Sequence, residues 1–171
     1  MDLKTFIREI PDWPQKGVNF IDITPLLQNP EAFCFGIDEM AKPYLGQKID
    51  KIVGIDARGF ILAAVLAYKL GAGLAIIRKK GKLPWKTISR DYALEYATNT
   101  IEMHEDAVKS GEKVLLVDDV LATGGTMAAT VDLVKKLGGD IVGIVFLIGG
   151  LSGLGGEEKL KGYKIHSLIR Y

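Results

Sequence analysis

Little in this sequence marks a specialised environment, and each shortage narrows the field. One cysteine in 171 residues, Cys34, rules out an intrachain disulfide and makes a reducing compartment the default; Cys34 itself is expected in the core. Acids and bases nearly cancel, 22 Lys and Arg against 21 Asp and Glu for a net charge of +1, so the basic excess of a nucleic-acid binder is missing. No apolar run reaches membrane-spanning length, and Met1-Asp2-Leu3-Lys4 lacks the apolar stretch of a secretion signal. The expectation is a cytoplasmic protein with no membrane and no nucleic-acid partner. The two histidines, His104 and His166, have no metal-ligand spacing to another His or Cys, and ordinary surface or strand positions are expected for both. No Gly-x-x-x-x-Gly-Lys-Ser/Thr occurs, and no Gly-x-Gly-x-x-Gly follows a strand, which removes a Walker nucleotide site and weakens a dinucleotide reading.

What is present is a repeated βα pattern without low-complexity linkers, so one α/β domain over residues 1–171 with an open, mainly parallel twisted sheet flanked by helices is predicted. A hydrophobic content of 48% is enough for one continuous core. Lys51 to Ile55 reads as a strand, Phe60 to Leu70 as a helix stopped by Gly71, and Leu74 to Ile77 as the next strand, which makes one right-handed crossover. Val114 to Val117, Met127 to Leu137 and Ile141 to Leu147 repeat the plan. Between the units, Asp91 to Tyr96 and Thr98 to His104 are expected to form a hairpin, and Gly81 to Ser89, with a proline and few periodic apolar positions, reads as a mobile loop.

The segment from Val114 to Met127 carries the most chemistry. Its apolar run is that of a strand covered on both faces, so Asp118 and Asp119 are expected at its carboxyl end, where open α/β sheets bind ligands. Thr123, Gly124, Gly125 and Thr126 then offer backbone N–H groups and two hydroxyls at a helix start, a cradle for one phosphate monoester. Carboxylates beside a bound 5′-phosphate can accept hydrogen bonds from the 2′- and 3′-hydroxyls of its ribose, and two anions with a phosphate favour a divalent cation. Asp56-Ala57-Arg58-Gly59 makes a second anion turn at the first crossover, with a guanidinium added. Taken alone, Arg78-Lys79-Lys80 is more often a solvated surface run.

These residues resemble the phosphoribosyl-diphosphate signature of the type I phosphoribosyltransferases. The resemblance runs from about Ile10 to the C-terminus and includes Pro11-Asp-Trp-Pro-x-x-Gly17-Val-x-Phe20-x-Asp22-Ile-Thr-Pro-Leu-Leu27, Gly54-Ile-Asp56-Ala57-Arg58-Gly59-Phe60, and Arg78-Lys79-Lys80-Gly81-Lys82-Leu83-Pro84 leading to Tyr92-Ala-Leu-Glu95-Tyr96. It implies a small hood over the sheet from about residues 10–28 and 149–160, a mobile catalytic loop over about 81–96, and a homodimer. The implied reaction joins adenine to the 5-phosphoribosyl group of phosphoribosyl diphosphate, giving AMP and diphosphate in purine salvage, with Mg²⁺ held mainly by the substrate and not by direct protein ligation. Alternatives are another base, such as hypoxanthine or guanine, and a regulator that senses phosphoribosyl diphosphate without catalysis.

By the same resemblance, Asp118 and Asp119 hold the ribose and Ala122 to Thr126 the 5′-phosphate. Ala57, Arg58 and Gly59, with Arg78, Lys79 and Lys82, face the diphosphate, while alternation along an extended chain points Lys80 elsewhere. Glu95 is the implied proton acceptor. Base recognition is expected at the N-terminal signature, where Phe20 supplies a stacking face and the extended backbone from Val18 to Ile21 supplies N–H and C=O groups, with Leu151 as a cover. Trp13 is expected to be core packing, and Glu157 and Glu158 a solvated helix start. Two positions depart from the family: Ile21 stands where many relatives carry arginine, and Gly149 to Glu157 replaces a hood segment with less glycine, Glu157 standing for an arginine.

Overall fold

The computed structural model describes residues 1–93, 98–151 and 153–171, with residues 93 and 98 described as backbone only. Seven strands form one sheet: β3 (Lys51–Ile55), β4 (Gly73–Lys79), β5 (Thr87–Ala93), β6 (Thr98–His104), β7 (Lys113–Val120), β8 (Asp140–Gly149) and β9 (Ile165–Arg170), in the order β5-β6-β4-β3-β7-β8-β9. Strands β4, β3, β7, β8 and β9 run parallel, while β6 and β5 continue the sheet antiparallel. A separate ribbon pairs β1 (Arg8–Ile10) with β2 (Phe20–Asp22). Helices α1 (Thr24–Gln28), α2 (Pro30–Ala41), α3 (Gly59–Leu70) and α4 (Gly125–Lys136) complete the fold.

Alternate residues of β7 go to opposite sides of the sheet, and both sides are covered. Leu115 and Val117 join Leu62 and Leu66 of α3 and Met40 of α2. Val114 and Leu116 join Met127, Leu133 and Val134 of α4. That two-sided cover is why the run lacks a polar alternation. The α2 face turned inward is Ala32, Gly36, Ile37, Met40 and Ala41. Cys34 lies off this stripe and is exposed, contrary to the core position expected for it.

From β3 the chain crosses through α3 to β4 on one side, and later returns to place β7 on the other side of β3. Strand direction of travel therefore reverses between β3 and β7, and at such a point the connections leaving the carboxyl ends diverge and open a crevice. The predicted helices and parallel strands are present, β3 with the expected ends and the others with ends shifted by up to three residues. The hairpin is longer than expected. Its first arm begins at Thr87, so residues 87–89 are strand and not loop, paired in register from Thr87↔His104 to Ala93↔Thr98. Ile88 and Tyr92 on one face of β5 pack on the α4 side of the core, and Arg90 between them bridges to Asp132 of α4 at 2.9 Å. A pattern of two apolar residues split by an arginine was too short to read as alternation.

Candidate functional site

The two acids fall within the last paired residues of β7 and not beyond its end, since Asp118 pairs with Phe146 and Val120 with Ile148 of β8. Asp118, Asp119 and Thr126 border a crevice of about 290 Å³, together with Asp56, Ala57 and Arg58 from the turn after β3 and Arg78 and Lys79 at the end of β4. Tyr92, Asn99 and Ile101 of the hairpin close one side. Asp118 and Thr126 also line a smaller space of about 70 Å³ with Ala122, Thr123, Gly124 and Gly125. The two turns and the basic strand end predicted from separate stretches of sequence thus meet around one pair of carboxylates.

Arg58 ties several of these parts together. Its Nε lies 2.6 Å from Asp119 Oδ2, its Nη1 donates to the Ile21 carbonyl at 2.9 Å, and its guanidinium sits 4.8 Å from the centre of the Phe20 ring. The Asp56–Ala57 peptide before it is cis. Arg78 is held in the same manner, with Nε donating to Asp56 Oδ2 at 3.1 Å and Nη1 donating to the Lys82 carbonyl at 3.0 Å. Asp56 and Asp22 lay inside the quoted signatures, but their work was not read from them. The carboxylate of Asp22 accepts from the Thr24 N–H and hydroxyl, both at 2.9 Å. Its burial alone would raise the carboxyl, yet these two hydrogen bonds, with Arg8 and Arg58, outweigh burial and hold it below its usual range.

Asp118 is shifted the other way. Burial first, then the charge of Asp119, push its carboxyl well above the usual range, against the weaker pull of the Asp119 N–H and Arg58. Two carboxylates this close resist double ionisation until a cation or hydroxyl donors arrive. Among the described residues no three His, Cys, Asp or Glu side chains cluster as a metal cage. The pair nevertheless fits a cation that arrives already held by a substrate, since it offers hard oxygen donors beside the turn of Ala122 to Thr126.

Other expected residues lie apart from the crevice. Lys82 is exposed and contributes its carbonyl to Arg78. The Lys80 N–H donates to the Thr100 carbonyl at 3.0 Å. The Ile21 side chain is buried, and its carbonyl is taken by Arg58. Val18 has its N–H and carbonyl paired within the preceding turn, to Gln15 and Trp13. Trp13 is half exposed, not core, because that turn projects from the body; its ring meets the Phe20 ring edge-on at 4.4 Å between centres. Leu151 lines a different cleft with Leu121, Gly156 and Arg170. Glu95 lies outside the described residues. His104 is on β6 with Nε2 2.6 Å from the Pro84 carbonyl, and Glu157 and Glu158 are exposed at a short 3₁₀ turn.

Comparison with known proteins agrees with this geometry. The family model for the phosphoribosyl transferase domain matches residues 24–166. The adenine phosphoribosyltransferase of Thermotoga sp. strain RQ2 is 55% identical over 171 residues, all of both chains. The crystal structure of adenine phosphoribosyltransferase from Thermoanaerobacter pseudethanolicus is 50% identical with a TM-score of 0.95, covering 99% of this chain and 98% of that one. The Saccharomyces cerevisiae adenine phosphoribosyltransferase, complexed with an imino-altritol bisphosphate and adenine, superimposes with a TM-score of 0.91 at 34% identity, covering 98% of this chain and 97% of that one. A chain matched over its whole length, with two strand-to-helix turns meeting around the paired acids of β7, belongs to the phosphoribosyltransferase family, among the adenine phosphoribosyltransferases.

Proposed function

We propose that the crevice transfers the 5-phosphoribosyl group of phosphoribosyl diphosphate to adenine and releases AMP and diphosphate. The observation that carries this reading is the position of Asp118, with Asp119 beside it in the crevice, between the turn of Ala122 to Thr126 on one side and the cationic Arg58, Arg78 and Lys79 on the other. A ribose with a phosphate at C5 and a diphosphate at C1 has charge at both ends and hydroxyls between. The relatives' names, and adenine in the yeast complex, support the base.

In the reaction the C1–O bond breaks with its electron pair going to diphosphate, a ring nitrogen of adenine bonds to C1, and that nitrogen loses its proton. Asp118 and Asp119 would hold the 2′- and 3′-hydroxyls and face the positive charge that develops on the ribosyl ring, an effect of placement and electrostatics that needs no covalent intermediate. Charge grows on the leaving diphosphate, so contacts from Arg58, Arg78 and Lys79 strengthen in the transition state, where binding energy raises rate. Arg58 can do this through its Nη2 donors while Nε stays on Asp119 and Nη1 on the Ile21 carbonyl. Substrate-borne Mg²⁺, when bound, would neutralise charge between the hydroxyls and the diphosphate. Glu95 is our candidate for the final proton, on resemblance alone, and Phe20, whose ring is already flanked by Trp13 and Arg58, for stacking on the base.

Cytoplasmic purine salvage by a homodimer completes the reading. The dimer is supported by α3, whose outward row of Ile61, Ala64, Val65 and Tyr68 stays apolar, with Tyr68 90% exposed. A helix apolar all round is normally buried. The test is diphosphate release by purified protein with Mg²⁺ and phosphoribosyl diphosphate, offering adenine, hypoxanthine, guanine, uracil and orotate separately. Turnover with adenine alone is expected. Turnover only with another base would move the specificity, and silence with every base would remove the enzyme.

A further inference from the structure

The glycine-rich stretch after β8 meets the phosphate turn from behind. Gly156 is buried, although Gly155 and Glu157 on either side of it are exposed. A Cβ placed on Gly156 would lie 2.2 Å from the Ala122 carbonyl oxygen and 3.0 Å from Leu121 Cδ1. The contact is reciprocal, for a Cβ on Gly124 would lie 2.6 Å from the Gly156 carbonyl oxygen and 3.1 Å from its Cα. Backbone therefore rests on backbone with no side chain between. Gly124 is the residue that turns the chain from β7 into α4, in the left-handed region at φ +74°, so the contact falls on the hinge of the turn. Gly156 does not border the small space inside the turn. It borders the larger cleft on the other side, of about 570 Å³.

We propose that Gly156 is a positioning residue for the 5′-phosphate: its backbone forms a back wall that sets where the N–H groups of Ala122 to Gly125 point. The proposal rests on reading that turn as the phosphate cradle. Hydrogen-bond donors lose strength within a few tenths of an ångström of their optimum, so a wall in backbone contact can tune binding without touching the ligand. The wall is itself fastened. Glu157 Oε1 accepts from Arg170 Nη2 at 2.8 Å, and Leu160, four residues beyond Gly156, is buried against the α4 side of the core. The ion pair ties the segment to the end of β9.

A wall behind the phosphate makes a selective forecast. Phosphoribosyl diphosphate, AMP and ribose 5-phosphate share the 5′-phosphate, whereas adenine and free diphosphate lack it. Gly156→Ala should raise the KM for phosphoribosyl diphosphate and the Kd for ribose 5-phosphate about tenfold, the scale of one weakened hydrogen bond to a charged group. The adenine KM and diphosphate inhibition should stay within about twofold. Glu157→Gln, which introduces no clash, should move the same two constants in the same direction by a smaller factor, and it carries the test if Gly156→Ala does not fold. Ribose 5-phosphate binding, followed calorimetrically, is read without turnover. An inactive wild-type protein that still binds ribose 5-phosphate would overturn the transferase reading, and the variants' ribose 5-phosphate affinities would still decide the wall. Unchanged ribose 5-phosphate affinity in the variants, or an equal loss for every ligand, would overturn the wall.

Discussion

Asp118 illustrates a residue kept at a cost to the fold. Its carboxyl holds a proton to higher pH in the folded chain than in the unfolded one, through burial and the neighbouring Asp119. Between those two values the native state binds more protons, so this contribution to stability is full below the unfolded value and is lost as pH rises through the folded one. Asp118→Asn keeps an acceptor for the Asp119 N–H and removes the charge. Its melting temperature should exceed that of the wild type at pH 8, by about 2–4 °C for each kcal/mol relieved, and the difference should shrink toward pH 4. Phosphoribosyl transfer should fall by at least about a hundredfold, the usual scale for a lost electrostatic group at a reacting centre. A variant no more stable at pH 8 than at pH 4 relative to wild type would remove the strain argument. Opposite slopes from Asp22 and Asp50, whose carboxyls are held low, cancel in that comparison. None of this was legible in sequence, because the Asp118–Asp119 pair reads alike whether exposed or enclosed.

At the scale of elements, the sequence announced what repeats and hid what depends on partners elsewhere in the chain. Parallel strands buried on both faces stand out as unbroken apolar runs, and the helices between them are bounded by glycine. The β1–β2 ribbon and the first arm of the hairpin lack such runs, and their stability comes from partners distant in sequence, as in Arg90 with Asp132. The two strand-to-helix turns were readable as turns, because glycine at such a junction marks a sharp change of chain direction. Their internal ties were less so: Arg58 was expected to face a diphosphate, and its pairing with Asp119 and the Ile21 carbonyl was not read. One junction has a measurable tolerance. A Cβ on Gly54 of β3 would come within 2.6 Å of Ala63 Cβ on α3, so Gly54→Ala must push that helix off the sheet. Overpacking of this kind typically costs about 1–3 kcal/mol. Urea unfolding should show a lower midpoint at an unchanged slope, and an unchanged midpoint would mean that the helix yields freely.

For the whole molecule, the apolar row on α3 and the order of the strands bear on assembly. If Ile61, Ala64, Val65 and Tyr68 meet the same row of a second copy, Tyr68→Glu or Ile61→Glu should halve the mass measured by light scattering at micromolar concentration. A wild-type chain of monomer mass would refute the dimer instead. The strand order has another consequence, at the margins of the sheet. Hydrogen-bonding groups on an outermost strand invite further strands to add, and here the outermost strands are β5 and β9. β5 presents exposed Arg90 and Asp91 and is spanned by the bridge to α4, and β9 is six residues long, flanked by Lys164 and closed by Arg170. The aggregation-prone strands, with their runs of valine, leucine and isoleucine, all lie inside those two charged borders. Partial opening that peels away β9 first would therefore expose β8, and chains in that state would be the ones to join edge to edge.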